Sequence, residues 1–198
     1  MPYASLNGVE LWYEQEGQGP PLILIAGFAS DSVSWAPLVP ALTTNFEVIR
    51  PDNRCAGRTK PGIPDTSVPL MASDILALMD RLRSSSADLA GHSMGGLVAM
   101  EVAQVAPERL RSMTLLASAP LSLPRTVEVF RTLGRIRAEA RSDALWLRAL
   151  YPWIFRSGFF DDPAAPATAA ALAQAYPFAQ SAAAMDAQLN ALETYVPP

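Results

Sequence analysis

The residues Gly91-His92-Ser93-Met94-Gly95 form a pattern that could perform chemistry. An apolar run precedes them, and a helix-like run, GLVAMEVA, follows. A serine on a tight turn between a strand and a helix is presented as a nucleophile, an arrangement called a nucleophile elbow. Small residues two positions before and after the serine leave room for the turn. Ser93 is therefore the predicted catalytic residue, and Gly91 and Gly95 are the glycines that permit the elbow.

A serine nucleophile also needs donors for the negative charge that develops on the attacked carbonyl oxygen. The N–H group of Met94 lies at the predicted helix N-terminus, where the helix dipole favours an anion. A second donor is expected from the loop after the first buried strand, where the sequence reads IAGFASDS. Phe28 N–H and Met94 N–H are thus the predicted oxyanion hole, and each such donor typically contributes about 3 kcal/mol.

The general base that Ser93 requires is not evident in the sequence. His92 is the only histidine, and adjacent side chains on a turn diverge, so it is expected to pack beside the elbow as a neutral residue. The strand after the elbow helix ends in Ala-Ser-Ala-Pro at 117–120, which offers no carboxylate. Four later aspartates are expected to have surface or helix-capping roles: Asp143, Asp161, Asp162 and Asp186.

The elements that must position these residues alternate between strands and helices. Two alternating segments around the turn signal Asn7-Gly8 predict a hairpin over 3–16. Apolar runs predict buried strands, and helical spacing of apolar residues predicts helices. The strands are expected at 21–27, 46–53, 87–93 and 109–120, and the helices at 34–46, 69–83 and 94–107. This alternation predicts an α/β fold with a mostly parallel sheet and helices on both faces, whereas 121–192 predict helices without a convincing strand.

The composition excludes several classes of protein. Half of the residues are hydrophobic, 17% are charged and the net charge is −4, as in an ordinary globular protein. Basic blocks with interleaved aromatic residues are missing, which argues against nucleic-acid binding. No apolar run approaches the ~18 residues of a membrane span, and the N-terminus lacks the pattern of a secretion signal. With one histidine and one cysteine, Cys55, a zinc site is not expected, and we predict a cytoplasmic protein without metal or cofactor.

The segments GHSMGG, DNRCAGRT and WAPLVPAL resemble the α/β-hydrolase superfamily, in particular its cap-bearing esterases and lactonases related to 3-oxoadipate enol-lactonases. The resemblance runs from about residue 8 to about residue 192. It implies a doubly wound sheet with a helical cap: residues 1–120 as the N-terminal part of the core, 121–192 as the cap and 193–198 as a truncated tail. Two strands, a final helix, the catalytic acid and the histidine are then expected beyond residue 198, on the order of 70 further residues.

The resemblance also implies a function. A serine hydrolase would act on a small carboxylic ester or lactone through a Ser93 acyl-enzyme, and cap aromatic residues would line its pocket. Trp146, Trp153 and Phe155 are the candidates for that lining. Two rival interpretations are a catalytically incomplete fragment or pseudoenzyme that only binds a ligand or partner, and a cofactor-free haloperoxidase or acyltransferase on the same fold.

Two departures from the family pattern lead to further expectations. Members commonly carry His-Gly where this chain has Ala26-Gly27, and Cys55 stands where a glycine is usual. If that position has a positive φ, Cys55 is strained.

The strand at 109–120, without its expected outer neighbours, would be an exposed apolar edge that favours self-association.

Overall fold

A computed structural model describes residues 3–119, 124–139 and 143–197. Its six strands form one mixed sheet in the order β1-β2-β4-β3-β5-β6. The strands are β1 (Tyr3–Leu6), β2 (Val9–Glu16), β3 (Pro21–Ile25), β4 (Glu47–Pro51), β5 (Ala87–His92) and β6 (Leu110–Leu116). β1, β2 and β4 pair in antiparallel fashion, whereas β4, β3, β5 and β6 run parallel. The predicted α/β class and mostly parallel sheet are confirmed.

Seven α-helices complete the described part of the chain: α1 (Val39–Leu42), α2 (Val68–Arg81), α3 (Met94–Val105), α4 (Pro124–Glu139), α5 (Asp143–Ile154), α6 (Ala165–Ala175) and α7 (Ala182–Thr194). The single helix expected at 34–46 is instead divided into a 3₁₀ turn, Ser32–Trp35, and the one-turn helix α1. Pro37 separates the two because its ring fixes φ and removes a backbone donor.

The hairpin and the buried strands follow from local sequence as expected. Asn7 and Gly8 have φ values of 46° and 81°, as a two-residue turn between twisted strands requires. Along β3, Ile23 and Ile25 enter one apolar cluster with residues of α2 and α3. Leu22 and Leu24 enter a second cluster with Trp35 and Val39. Both faces of the sheet are therefore covered at β3, which explains its continuous apolar sequence.

The loop between β4 and α2 is fixed by a buried ion pair. Arg54 donates to both carboxylate oxygens of Asp74, at 2.6 and 2.9 Å, and both side chains are only 3% exposed. The same guanidinium reaches the carbonyl oxygens of Asn7 and Asp65. Cys55 follows with a φ of 63°, so the expected strain at this cysteine is confirmed.

Strand β6 lies at the edge of the described sheet, where it pairs only with β5. Most of its residues are exposed, and Met113 and Leu116 are 37% and 36% exposed. Natural sheets usually protect such an edge with charge, proline or a covering element.

The helices after β6 pack mainly on one another. α4 contacts α5 and α7, and α5 contacts α6. An apolar cluster of Trp146, Leu147, Tyr151 and Met185 joins these helices and receives Phe28 from the core. No strand occurs in the described residues after Leu116, and in the described helices we find no segment long and apolar enough to cross a membrane.

Candidate active site

Ser93 occupies a strained turn between β5 and α3. Its φ and ψ are 52° and −117°, a conformation that residues with a side chain rarely adopt. The Ser93 N–H donates to Leu116 O at 2.9 Å, and Ser93 O accepts from Gly96 N at 2.9 Å. The Ser93 side chain does not cap the helix that follows it, and no hydrogen bond joins Ser93 Oγ to another described residue. The hydroxyl is therefore available for chemistry.

The two glycines of the elbow are required by close backbone contacts. A Cβ atom on Gly91 would lie 2.3 Å from Gly95 O, and one on Gly95 would lie 2.2 Å from Ile25 O. Both opposing atoms belong to the backbone, so a side chain could be accommodated only by moving β3 or α3. The turn at Ser93 thus requires glycine, which has no Cβ atom, at both positions.

Two backbone amides beside Ser93 have no acceptor among the described residues. Met94 is the first residue of α3, so its N–H has no helical partner. The N–H of Phe28 likewise has no acceptor among the described residues. Phe28, Ser93 and Met94 all line one cavity of about 460 Å³.

The walls of this cavity come from the core, from α4 and from α7. Its apolar lining includes Leu97, Val127, Phe130, Leu189 and Leu192. The Phe130 ring meets the Phe28 ring edge to face, with centroids 4.9 Å apart. A cavity with this lining would accept an apolar acyl or alcohol group next to the serine.

A charged pair interrupts the apolar wall. Glu193 of α7 and Arg131 of α4 form an ion pair and both line the cavity. This pair is not evident in the sequence, because Arg131 and Glu193 are 62 residues apart and meet only when α4 packs against α7. Glu193 is the only carboxylate among the described lining residues. Its Oε2 is paired with Arg131, whereas its Oε1 is buried without a hydrogen-bond partner among the described residues.

His92 is the last residue of β5 and directly precedes Ser93 in the elbow. A Cβ atom on Gly27 would lie 2.9 Å from His92 Nδ1, so the imidazole packs against Gly27. Partial burial lowers the pKa of His92, which favours the neutral imidazole. His92 is not among the described residues that line the Ser93 cavity.

The aromatic residues predicted for the pocket lie elsewhere. Trp146 is buried, and the Arg137 guanidinium carbon lies 4.6 Å from the centre of the Trp146 ring. Trp146 lines a separate cavity of about 300 Å³. Trp153 is 51% exposed, with Arg125 over its ring, and Phe155 is stacked on Phe159 at 4.0 Å. None of the three lines the cavity at Ser93 among the described residues.

The loop that carries Phe28 is anchored on both sides. From the core, Asn53 Nδ2 donates to Ala26 O at 2.9 Å, and Asp52 Oδ1 accepts from Ser32 N at 2.9 Å. From the helical region, the Tyr176 hydroxyl donates to Asp31 Oδ2 at 2.7 Å. Burial raises the pKa of Asp31, and burial together with the Asp31 carboxylate raises the pKa of Tyr176. In the described part of the chain, no group of three His, Cys, Asp or Glu side chains could hold a metal ion.

Comparison with known proteins gives consistent similarities. Residues 20–138 match the family model for the alpha/beta hydrolase fold. Carbamate hydrolase RutD of Azorhizobium caulinodans is 38% identical over 115 residues, which are 58% of this chain and 43% of that protein. The pimeloyl-acyl-carrier-protein methyl ester esterase of Aeromonas hydrophila is 34% identical over 113 residues, or 57% of this chain and 43% of that protein. The chain thus spans less than half the length of these two relatives.

Similarity to a solved structure extends over nearly the whole chain. The enol-lactonase from Burkholderia xenovorans LB400 has a TM-score of 0.82 and 25% identity, covering 98% of this chain and 74% of that chain. The family model itself matches more than half of the residues, including β3, the elbow and α3. The chain therefore belongs to the family of proteins with the alpha/beta hydrolase fold.

Proposed function

We propose that Ser93 is the nucleophile of a serine hydrolase that acts on small carboxylic esters or lactones. The observation that carries this proposal is the strained Ser93, which lines a largely apolar cavity together with Phe28 and Met94, whose amides have no acceptor in the described part of the chain. Strain at a non-glycine residue persists where the surrounding structure enforces it, and such residues cluster at functional sites. The names of the relatives point the same way, because a carbamate hydrolase, a methyl ester esterase and an enol-lactonase all cleave a bond at an acyl carbonyl carbon.

The proposed reaction has two steps. Ser93 Oγ attacks the carbonyl carbon and loses its proton to a base, and the negative carbonyl oxygen accepts hydrogen bonds from Phe28 N–H and Met94 N–H. As this intermediate collapses, the base gives the proton to the leaving oxygen, which releases the alcohol of an ester or opens the ring of a lactone and leaves an ester between Ser93 and the acyl group. Water then attacks that ester and gives a proton to the base, which passes it to Ser93 Oγ as the carboxylic acid is released.

The base in this reaction is proposed to lie outside residues 1–198, together with the acid that orients it. The described residues around Ser93 support this assignment, because His92 packs against Gly27 and Glu193 is paired with Arg131. The partial coverage of the enol-lactonase, 74% of its chain, leaves room for such a segment in a longer protein. We further propose that 1–120 form the core of the hydrolase and 121–192 its cap, since α4 and α7 close the cavity over Ser93.

The experiment that tests the proposal measures acylation of Ser93. The chain is incubated with p-nitrophenyl butyrate, and covalent adducts are located by peptide mass spectrometry in wild type, Ser93→Ala and His92→Ala. We expect a slowly formed butyryl adduct on Ser93 in wild type and His92→Ala, because the oxyanion hole alone retains part of the catalysis. No adduct should form in Ser93→Ala.

An adduct elsewhere on the chain that persists in Ser93→Ala would contradict the proposal. Rapid turnover that His92→Ala abolishes would show that His92 is the base after all. Complete absence of acylation would favour the rival function, a chain that binds a ligand without turning it over. The specific observation behind that rival is the missing base beside Ser93 among the described residues.

A further inference from the structure

Gln188 of α7 is a polar residue buried completely between the helical region and the core. Its Oε1 accepts from Ala29 N at 3.2 Å and from Gln180 Nε2 at 2.9 Å. Its Nε2 donates to Arg54 O at 2.8 Å. A single side chain thus joins α7 to the loop that carries Phe28 and to the loop after β4.

The bond to Ala29 falls at a sensitive position. Ala29 has a φ of 55°, a left-handed conformation that costs about 1–2 kcal/mol for a residue with a Cβ. A backbone held there needs a partner that makes this conformation preferable to an extended one. The Ala29 N–H obtains that partner from Gln188, and no other acceptor for it exists among the described residues.

The position of Phe28 N–H follows from the anchors on either side of it. Asn53 holds Ala26 O before Phe28, and Gln188 holds Ala29 N after it. Between these points the chain has only Gly27 and Phe28 with which to change direction. Loss of the Gln188 bond frees one end of this short segment, so the direction of the Phe28 N–H is no longer fixed.

We propose that Gln188 is a positioning residue that aims Phe28 N–H at the oxyanion. The inference rests on the proposed function, since it assigns the origin of one donor of that same site. It also means that the oxyanion hole is complete only while α7 is docked on the core. The catalytic geometry of the core is then coupled to the helical region through one amide side chain.

The test compares three variants of the chain. Gln188→Met keeps the length of the side chain and removes both its donor and its acceptor. Gln188→Glu keeps an acceptor for Ala29 N–H. Gln180→Met is the matched control, because Gln180 binds Cys55 O and Gln188 but makes no hydrogen bond to the Phe28 loop.

Amide spectra of ¹⁵N-labelled chain give a readout that does not depend on turnover. In Gln188→Met we expect displaced Phe28 and Ala29 signals and Ala29 exchange at least about tenfold faster, the equivalent of one lost hydrogen bond. Amides of β3 should keep their wild-type exchange. Gln188→Glu and Gln180→Met should leave the Phe28 signal in place.

A Phe28 signal unchanged in Gln188→Met, or displaced equally in Gln180→Met, would overturn the inference. If Gln188→Met does not fold, a displaced Phe28 signal in Gln188→Glu overturns it, and an undisplaced one supports it. The rate of Ser93 acylation provides the second readout. In Gln188→Met we expect a fall of about ten- to a hundredfold at saturating ester, with half-saturation within about twofold of wild type.

The two readouts separate the inference from the proposed function. If the rate of acylation is the same in Ser93→Ala as in wild type, the proposed function is refuted, whatever the result for the Gln188 variants. Acylation that depends on Ser93 but is equally fast in Gln188→Met refutes only the positioning role.

Discussion

At the scale of single residues, the site depends on backbone positions that tolerate little change. Ser93 lies at a φ of 52°, and its N–H is bound to Leu116 O, so the turn is held from β6 as well as from β5. Backbone strain of this kind costs about 1–3 kcal/mol and is maintained by the structure around it. The residues that maintain it are therefore as informative as the serine itself.

Gly91→Ala should damage the elbow directly. Its Cβ would lie 2.3 Å from Gly95 O and 2.5 Å from Gly96 N, so α3 must move. We expect the free energy of unfolding to fall by about 1–3 kcal/mol and acylation of Ser93 to be lost, as measured by urea denaturation and mass spectrometry. Gly62→Ala is the matched control, because no atom lies within 4 Å of its Cβ position. Equal stability of the two variants would contradict this account.

Asp31 should make stability depend on pH. Burial raises the pKa of Asp31 above 3.8 in the folded chain, so the folded state binds the proton of this carboxyl group more tightly than the unfolded state does. Its contribution is therefore fully present below pH 3.8 and is lost as the pH rises through the elevated value. The free energy of unfolding of wild type minus that of Asp31→Asn should decrease over this window. Denaturation curves across the acidic range measure it, and a difference that rises or stays constant would exclude this role.

At the scale of elements, local sequence determined the strands and several helix ends. Helix α2 is capped at its N-terminus by Ser67, whose hydroxyl accepts from Leu70 N, and the chain leaves its C-terminus through Arg83, which has a φ of 57°. The bonds from Arg83 N to Asp80 O and from Ser84 N to Met79 O form the usual left-handed helix end. Glycine is preferred at that position, and this chain has arginine there.

Arg83→Gly should therefore stabilise the protein. Glycine adopts a positive φ without the clash of a Cβ atom, so we expect the free energy of unfolding to rise by about 0.5–1 kcal/mol. Arg81→Gly, two residues earlier and inside the last helical turn, should lower it by a similar amount. Chemical denaturation of both variants gives the comparison. A loss of stability in Arg83→Gly would show that its side chain contributes more than the backbone strain costs.

The same scale shows what could be predicted from sequence. The buried strands, α2, α3 and the elbow were predictable, because periodicity and glycine spacing are local. The divided helix before β4 was not, since two prolines compete with its apolar pattern. The residues of the cavity walls were even harder to predict from sequence, because Leu189 and Phe130 become neighbours of Ser93 only when α4 and α7 pack over it. The roles of Gln188 and Arg131 depend on the same packing. Trp153 was predicted to line the pocket because of its large aromatic side chain, but it is 51% exposed.

At the scale of the whole molecule, the sheet has two unlike edges. The β1 edge belongs to a hairpin whose residues contact α2, whereas β6 presents unpaired backbone groups and exposed apolar side chains. An open strand of this kind is a template for pairing with another chain. We therefore expect this chain to self-associate through β6.

Met113→Lys should weaken that association. A lysine on an edge strand opposes pairing because its charge would have to be desolvated against a second strand. Val105→Lys is the control, since Val105 is 57% exposed and belongs to the last turn of α3 rather than to the edge strand. Sedimentation velocity over a concentration series should show at least about tenfold weaker association for Met113→Lys only. Equal behaviour of both variants, or a monomeric wild type, would refute the edge as the contact.

The buried Arg54 pair also bears on how fast the protein unfolds. Its guanidinium joins Asp74, Asp65 and Asn7, partners that are 20, 11 and 47 residues away in sequence. These partners come from separate parts of the sequence, so we expect their contacts with Arg54 to form after the transition state of folding. Interactions absent from the transition state slow unfolding and leave the folding rate nearly unchanged. We therefore expect the Arg54 contacts to lower the rate of unfolding, which determines the lifetime of the native state, and to have little effect on the rate of folding.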